Sequence, residues 1–323
     1  MGGGWMEARY LITAVGGDIG SSVARILRKE LSGKALAGCD LTPYAAGRED
    51  VETFFLAPPY TEEQRYIDTI RKACKSYGIT HILPMTEGEI LLYDQYREVF
   101  YTDGIKIMIN SSSILDTAMS KYRTAETIAN MGLDSPKTWK PGEHTQKIPY
   151  PVIVKPDRGC GSRKVRVAGN DQEYQSAISE IPDAVVQEYI GTPQEEYTMG
   201  VFSNGADTKS ITFRRVLAGG MTCRVQFIED AQTCRIAQTA ARGLGLKGCI
   251  NIQMRKHKGH YCIFEINPRI SGTVGFRYLL GFKDVLWWLE LLDGKTGKIP
   301  DLQVRQSVVG IRTYGEKIFT GQV

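Results

Sequence analysis

The 323-residue sequence lacks any apolar run long enough to cross a bilayer; stretches such as Val285–Leu289 are far too short. An excess of one charge is also missing. Its 40 Lys and Arg against 36 Asp and Glu leave +4, too little to mark a nucleic-acid or membrane surface. No basic stretch interleaved with aromatics stands out. The seven cysteines (Cys39, Cys74, Cys160, Cys223, Cys234, Cys249 and Cys262) are odd in number and form no C-x-x-C pair. That argues against a disulfide framework or a thiolate zinc site and for reduced thiols in a cytoplasmic protein. His257 and His260 flank a turn, where solvation is the plainer reading than metal binding. The N-terminus has no basic region before an apolar core, so Gly2-Gly3-Gly4-Trp5 reads as a flexible leader. Met6 stands where an acylation motif needs Ser or Thr.

What is present is ordinary globular composition, 42% apolar and 24% charged, at a length that suggests two domains. Arg9–Val15 is β-rich and runs into Gly16-Gly17-Asp18-Ile19-Gly20 and a helix from about Ser21 to Glu30. Lys34–Asp40, Thr53–Ala57, His81–Pro84 and Ile105–Ile109 read as further strands. Glu62–Tyr77 and Glu87–Phe100 read as helices between them. This alternation predicts a doubly wound parallel sheet. A dinucleotide reading would place Asp40 on a ribose hydroxyl, but the glycines do not satisfy G-x-G-x-x-G. A tight strand-to-helix turn is the plainer alternative.

Asn110-Ser111-Ser112-Ser113 marks a boundary, which divides the chain into residues 1–112 and 113–323. Ser120 caps a helix from Lys121 to Met131. Lys121 sits in its first turn, where the helix dipole disfavours a cation unless an anion offsets it. Val152-Ile153-Val154-Lys155-Pro156 is a strand, and a lysine in an apolar strand needs a partner. The glycine-rich loop Gly159–Lys164 lies between two strands, so it is not a Walker loop. Its N–H groups and basic tips suit a flap over phosphates. Asp171–Glu180 reads as a helix, Ala184–Tyr189 as a strand, Ile211–Leu217 as a strand and Ala231–Gly243 as a helix.

The stretch with most chemistry is Cys249–Thr273, two strands joined at Lys258-Gly259. Asn251 and Gln253 share one face, Glu265 and Asn267 another. A two-residue loop alone would set Gln253 opposite Phe264. An odd-numbered loop, or a bulge of the same effect, sets it opposite Glu265 and gathers the oxygens on one face. Amide and carboxylate oxygens with an Arg beyond them suit a hard divalent cation and a phosphate. A half-buried hairpin with its polar face in water would show the same alternation.

Taken together, Ser-Lys121-Tyr-Arg-Thr, Val-Ile-Val-Lys155-Pro, the Gly159–Lys164 loop, Val-Gln-Glu188-Tyr-Ile, Glu196-Tyr-Thr, Asn-Ile-Gln253 and Glu265-Ile-Asn267-Pro-Arg269 resemble the ATP-grasp superfamily. The layout is similar to one synthetase module of the carbamoyl phosphate synthetase large subunit, over about residues 8–310. The resemblance implies a fold of the α/β plus α+β class: a doubly wound pre-ATP-grasp domain followed by a two-lobed ATP-grasp fold. Its lid subdomain would span about 138–190 and its C-terminal catalytic lobe about 191–310. It implies ATP and Mg²⁺, or Mn²⁺, as cofactors. Lys121, Lys155, Gly159, Gly161 and Ser162 would meet the phosphates. Gln187, Glu188, Tyr189 and Ile190 would form the adenine hinge. Glu196, or its neighbour Glu195, would take the ribose. Gln253, Glu265 and Asn267 would hold one or two metal ions, and Arg269 with Lys155 would be catalytic.

The implied reaction is phosphorylation of a carboxylate to an acyl phosphate, which an amine or other nucleophile attacks. Small-molecule carboxylate and amine partners follow, with no nucleic acid and no membrane. The chain departs from carbamoyl phosphate synthetase in having one module, and Gly272 where a basic residue is usual. It is also too short for a C-terminal domain like that of biotin carboxylase. Bicarbonate is therefore not the expected substrate. A non-catalytic nucleotide binder and a nicotinamide-dependent oxidoreductase are the alternatives. Arg214, Arg215, Arg224 and Arg277 are candidate anion contacts, and the Trp287-Trp288 pair suggests a homodimer contact.

Overall fold

The computed structural model describes residues 8–31, 36–143, 147–159, 164–304, 307–313 and 315–319. They divide into two compact units. One comprises residues 1–109, 269–297 and 313–323, the other 110–268 and 298–312.

The first unit opens with β1 (Tyr10–Ile12), α1 (Asp18–Glu30), β2 (Leu36–Asp40), β3 (Thr53–Leu56), α2 (Glu63–Tyr77) and β4 (His81–Leu83). Next come α3 (Glu87–Gln95), α4 (Arg97–Thr102) and β5 (Lys106–Ile107). All five strands are parallel, in the order β3-β2-β1-β4-β5. This is the expected doubly wound sheet, and its inner strands β1, β2 and β4 are short and largely buried. The helix expected over Glu87–Phe100 is broken at Tyr96 into two.

The glycines after β1 make a tight turn. A Cβ on Gly20 would lie 2.3 Å from the Ala14 carbonyl oxygen, and one on Gly16 2.8 Å from Asp40 Oδ2. Asp40 itself accepts the Gly16 N–H at 2.8 Å and the Leu41 N–H at 2.8 Å. The acid that the dinucleotide reading sends to a ribose thus clamps its own loop.

In the second unit, α5 (Ser112–Ala118), α6 (Lys121–Asn130) and β6 (Thr138–Trp139) come first. Then follow β7 (Val152–Pro156), β8 (Arg166–Ala168), α7 (Asp171–Glu180) and β9 (Ala184–Glu188). β6, β9, β7 and β8 form a four-stranded antiparallel sheet in that order. Next are β10 (Glu196–Asn204), β11 (Thr208–Ala218), β12 (Met221–Ile228), α8 (Ala231–Leu244), β13 (Lys247–His257) and β14 (His260–Asn267). The chain then returns to the first unit for α9 (Val274–Leu279) and α10 (Asp284–Leu292). β15 (Val309–Ile311) joins β14-β13-β10-β11-β12 as the sixth strand of an antiparallel sheet.

Alternation along those strands decides which face carries chemistry. Met199, Val201, Ile250, Ile252, Met254, Ile263 and Ile266 pack beneath Ile236, Ala237, Ala240 and Ala241 of α8. Their neighbours in the chain, Glu196, Thr198, Asn251, Gln253, Glu265 and Asn267, must then point to the opposite face.

Two sequence expectations are corrected here. Trp287 and Trp288 are buried within the first unit, at 8% and 2% exposure, so they offer no surface for a dimer contact. Phe282 packs edge-on against Trp287 at 5.0 Å, while α9 packs on α1. Arg277 is no anion contact either. It is 1% exposed, and its guanidinium bonds Asp284 at 2.7 Å, Ser271 Oγ at 2.6 Å and Thr273 Oγ1 at 2.7 Å. A buried guanidinium needs partners of this kind, which here meet its two terminal nitrogens.

Candidate functional site

The hairpin register is the first fact of the site. Asn251 pairs with Asn267 and Gln253 with Glu265. The turn has only two residues, since His257 pairs with His260. Lys258 and Gly259 both have positive φ, 51° and 87°, as a tight hairpin turn of this hand requires. The register shifts beyond Met254↔Ile263, so Phe264 is the extra residue. The bulge, not an odd-numbered loop, brings Glu265 opposite Gln253.

Four-stranded and six-stranded sheets of the second unit border a cavity of about 580 Å³. Lys121, Lys155, Gly159, Gln187, Glu188, Ile190, Glu196, Gln253 and Glu265 all line it. Tyr189 and Asn267 are not among its lining. Gly161 and Ser162 lie outside the described residues. Arg269 belongs to the first unit, where it pairs with Glu87 at 2.8 Å. Six Lys and Arg side chains line the cavity against three Glu, a surplus of three positive charges. Ile153, Ile190, Leu217 and Phe264 supply apolar wall.

Lys155 is buried at 6% exposure. Burial pushes its ammonium down to about 8; the Glu265 carboxylate opposes that shift, and Lys121 and Arg255 reinforce it. Its Nζ lies 5.8 Å from the centre of the Phe264 ring. Lys121 donates to the carbonyls of Asp157 (3.2 Å) and Gly159 (2.8 Å), which anchors the start of the glycine-rich loop. The anion that offsets it at the α6 N-terminus is Asp157. Its Oδ1 accepts from Ser120 Oγ at 3.0 Å and from the Tyr122 N–H at 2.9 Å.

At the end of β9, the Glu188 N–H donates to the Lys137 carbonyl at 2.9 Å and Gln187 Nε2 to Thr138 Oγ1 at 2.9 Å. Glu196 is held from both sides. Arg215 donates to Oε1 at 3.1 and 2.7 Å, and Arg255 donates to Oε2 at 3.2 and 2.9 Å. Arg215 also donates to Gln253 Oε1 at 2.7 Å. Glu195 pairs with Arg214 at 3.0 Å and accepts from Tyr197 OH at 2.7 Å. Arg255 escaped the sequence reading, although it lies on the same alternation as Asn251 and Gln253. Its partner Glu196 is 59 residues away, and nothing local announces such a contact.

The donor set suits a hard cation through Glu265. This carboxylate accepts no hydrogen bond among the described residues, and among those residues no cluster of three or more His, Cys, Asp or Glu could hold a metal ion by itself. One carboxylate with substrate phosphates is a common Mg²⁺ environment. Gln253 fits less well, because its oxygen already accepts a bond from a guanidinium.

Comparison with known proteins agrees with this layout. Residues 118–273 match the ATP-grasp domain family, and residues 10–108 match the PylC-like N-terminal domain. The chain therefore carries an ATP-grasp domain with a PylC-like domain ahead of it. It is 26% identical over 196 residues to the carbamoyl phosphate synthase large chain of Campylobacter jejuni. That match covers 54% of this chain and 18% of the relative, so the chain spans under a fifth of that protein.

Among solved structures, biotin carboxylase from C. jejuni, in complex with β,γ-ATP, superposes with a TM-score of 0.73 at 16% identity. The match covers 93% of this chain and 74% of that one. N5-carboxyaminoimidazole synthetase from Staphylococcus aureus gives 0.71 at 15% identity over 94% and 81%. L-amino acid ligase from Bacillus licheniformis gives 0.70 at 15% over 90% and 76%. These likenesses establish the fold.

Proposed function

We propose that the chain binds Mg-ATP in the 580 Å³ cavity and is an ADP-forming ligase. It would phosphorylate a small carboxylate to an acyl phosphate and join the acyl group to an amine, releasing phosphate. The observation that carries the reading is the Gln253–Glu265 register beside buried Lys155. Mg-ATP supplies the phosphoryl group and part of the positive charge that stabilises its transfer. Glu265 is the residue to hold the metal, with Asn267 next on the same strand face.

Lys155 supplies a desolvated cation with no acceptor of its own among the described residues, so a phosphate oxygen is the partner it lacks. Lys121 fixes the loop base through two carbonyls and keeps a third N–H for a phosphate. The end of β9 at Glu188–Ile190, with Ile153 and Phe264 as apolar wall, suits a purine. Positioning and charge neutralisation are what phosphoryl transfer asks of a protein. No nucleophilic side chain is needed.

A hydroxylamine trap tests this. The protein is mixed with ATP, Mg²⁺, pooled carboxylic acids and hydroxylamine, with Glu265→Gln as control. The expected result is a hydroxamate formed together with ADP by the wild type and not by the variant. Bound ATP with no ADP or hydroxamate from any acid would favour a non-catalytic nucleotide binder.

A further inference from the structure

We infer that Glu87, in the first turn of α3, is a positioning residue for the reaction: it holds Arg269 in the orientation that meets the transferred phosphoryl group. The inference rests on the ligase reading above. Arg269 closes the Asn267-Pro268-Arg269 stretch, just past the strand that carries Glu265. Within the first unit its Nε and Nη2 both donate to Glu87 Oε1, at 3.2 and 2.8 Å, and its Nη1 donates to the Ile270 carbonyl at 3.1 Å. A guanidinium has five N–H groups. These bonds use three of them, and one on each terminal nitrogen keeps no acceptor among the described residues. Two such groups suit two oxygens of one phosphoryl group.

The fold builds a support under Glu87. The sheet order β3-β2-β1-β4-β5 reverses its direction of travel between β1 and β4. Open α/β sheets engage ligands beyond the carboxyl ends of their strands at such a point, and α3 begins there, just after β4. Its start is fixed twice. Thr86 Oγ1 accepts the Glu89 N–H at 3.3 Å while the Glu89 carboxylate accepts the Thr86 N–H at 3.2 Å. Tyr60 lies so close on Gly88 that a Cβ there would fall 2.2 Å from its ring. Glu87 thus projects from a pinned turn, where an acid also complements the helix dipole. The side chains of Arg269 and Glu87 are 17% and 13% exposed. That is shielded enough for charged hydrogen bonds to hold the guanidinium, and open enough for an anion to reach it.

Arg269 is the catalytic member of the pair, and Glu87 acts only through it. Without Glu87 the guanidinium keeps one carbonyl bond on a long flexible side chain. A misplacement of about 1 Å can cost on the order of 100-fold in rate. Neither residue lines the nucleotide cavity, so ATP binding does not depend on the pair.

A double-mutant cycle on the full chain tests this. Glu87→Ala, Arg269→Ala and the double variant are assayed for ADP and hydroxamate in the hydroxylamine trap. Glu87→Ala is expected to lower kcat about 10- to 100-fold and to leave KM for ATP within about twofold of wild type. Arg269→Ala is expected to be about 100-fold slower or more, and in that background the loss of Glu87 costs nothing further. An equal loss from Glu87→Ala with and without Arg269 overturns the inference, as does an unchanged kcat; both leave the ligase reading intact. A wild type that yields no ADP or hydroxamate from any acid overturns that reading and the inference with it. Should Glu87→Ala not fold, Glu87→Asp takes its place in the cycle, since it keeps the charge and withdraws the acceptor by one methylene. Its expected loss in kcat is about fivefold or more and again vanishes without Arg269; a loss that persists there overturns the inference.

Discussion

Gln253 stands directly opposite Glu265 even though the turn between their strands holds two residues. The extra residue, Phe264, absorbs the mismatch, and its ring lies 5.8 Å from Lys155 Nζ and 5.7 Å from the Arg255 guanidinium. The bulge thus does two jobs. It sets the carboxylate on the cavity face and puts an aromatic wall beside two cations.

Glu265→Gln follows from that geometry. The side chain accepts no hydrogen bond among the described residues, so its neutralisation breaks no structural contact. The melting transition should stay within about 0.5 kcal/mol of wild type. ADP formation should fall on the order of 100-fold or more, as when a preorganised charge is removed from a transition state. Lys155 would also lose the larger of the two carboxylate influences, Glu265 and Asp157, that favour its charged form, so ATP affinity should fall alongside. Steady-state ADP release and calorimetry measure the two effects; near-normal turnover would remove Glu265 from the metal site.

Arg215→Ala should disturb the fold as well as the site. The guanidinium bridges Glu196 and Gln253, and the side chains of Arg215 and Glu196 are 12% and 10% exposed. Removing one partner of a buried ion pair costs about 3–5 kcal/mol. Here Arg255 still neutralises Glu196 and the cavity admits water, so a loss of about 2 kcal/mol is expected. A urea midpoint equal to wild type would show that the network contributes no stability.

The residues that sequence reading placed well share a local signal, and those it misplaced do not. Alternation along β13 and β14 identified the face of Asn251, Gln253, Glu265 and Asn267, because the core claims every other residue. The bulge itself was not legible, since Phe264 is as apolar as its neighbours and only the partner strand reveals it. Trp287 and Trp288 looked exposed because adjacent positions on a lone helix cannot share a face. The burial of α10 in the first unit was beyond local reach. The Arg277–Asp284 pair was equally beyond local reach, since the two residues belong to different helices, α9 and α10.

Trp288→Glu tests that correction. At 2% exposure the side chain has no water to offer a carboxylate, so the variant should lose more than about 4 kcal/mol, as other buried unpaired charges do. The expected outcome is aggregated or unfolded protein by circular dichroism. A folded variant that merely changed elution volume would restore the tryptophan as an oligomer contact.

Glu89 gives the fold a pH dependence of predictable sign. Its carboxyl is buried at 5% exposure, accepting from Tyr66 OH at 2.7 Å and from Thr86 Oγ1 at 2.8 Å. Burial raises its pKa above the ordinary 4.5, and the hydrogen bonds only partly oppose that. Between 4.5 and the raised value the folded chain therefore holds a proton that the unfolded chain has released. Stability from this group is present below 4.5 and is lost as pH rises through the folded value. Glu89→Gln keeps the capping geometry at Thr86 and removes the titration. The difference in denaturation midpoint between variant and wild type should grow in the variant's favour as pH rises from about 4.5. A difference independent of pH would mean that Glu89 titrates alike in the folded and unfolded chains, and one that moves in the wild type's favour would mean that its folded pKa is lowered.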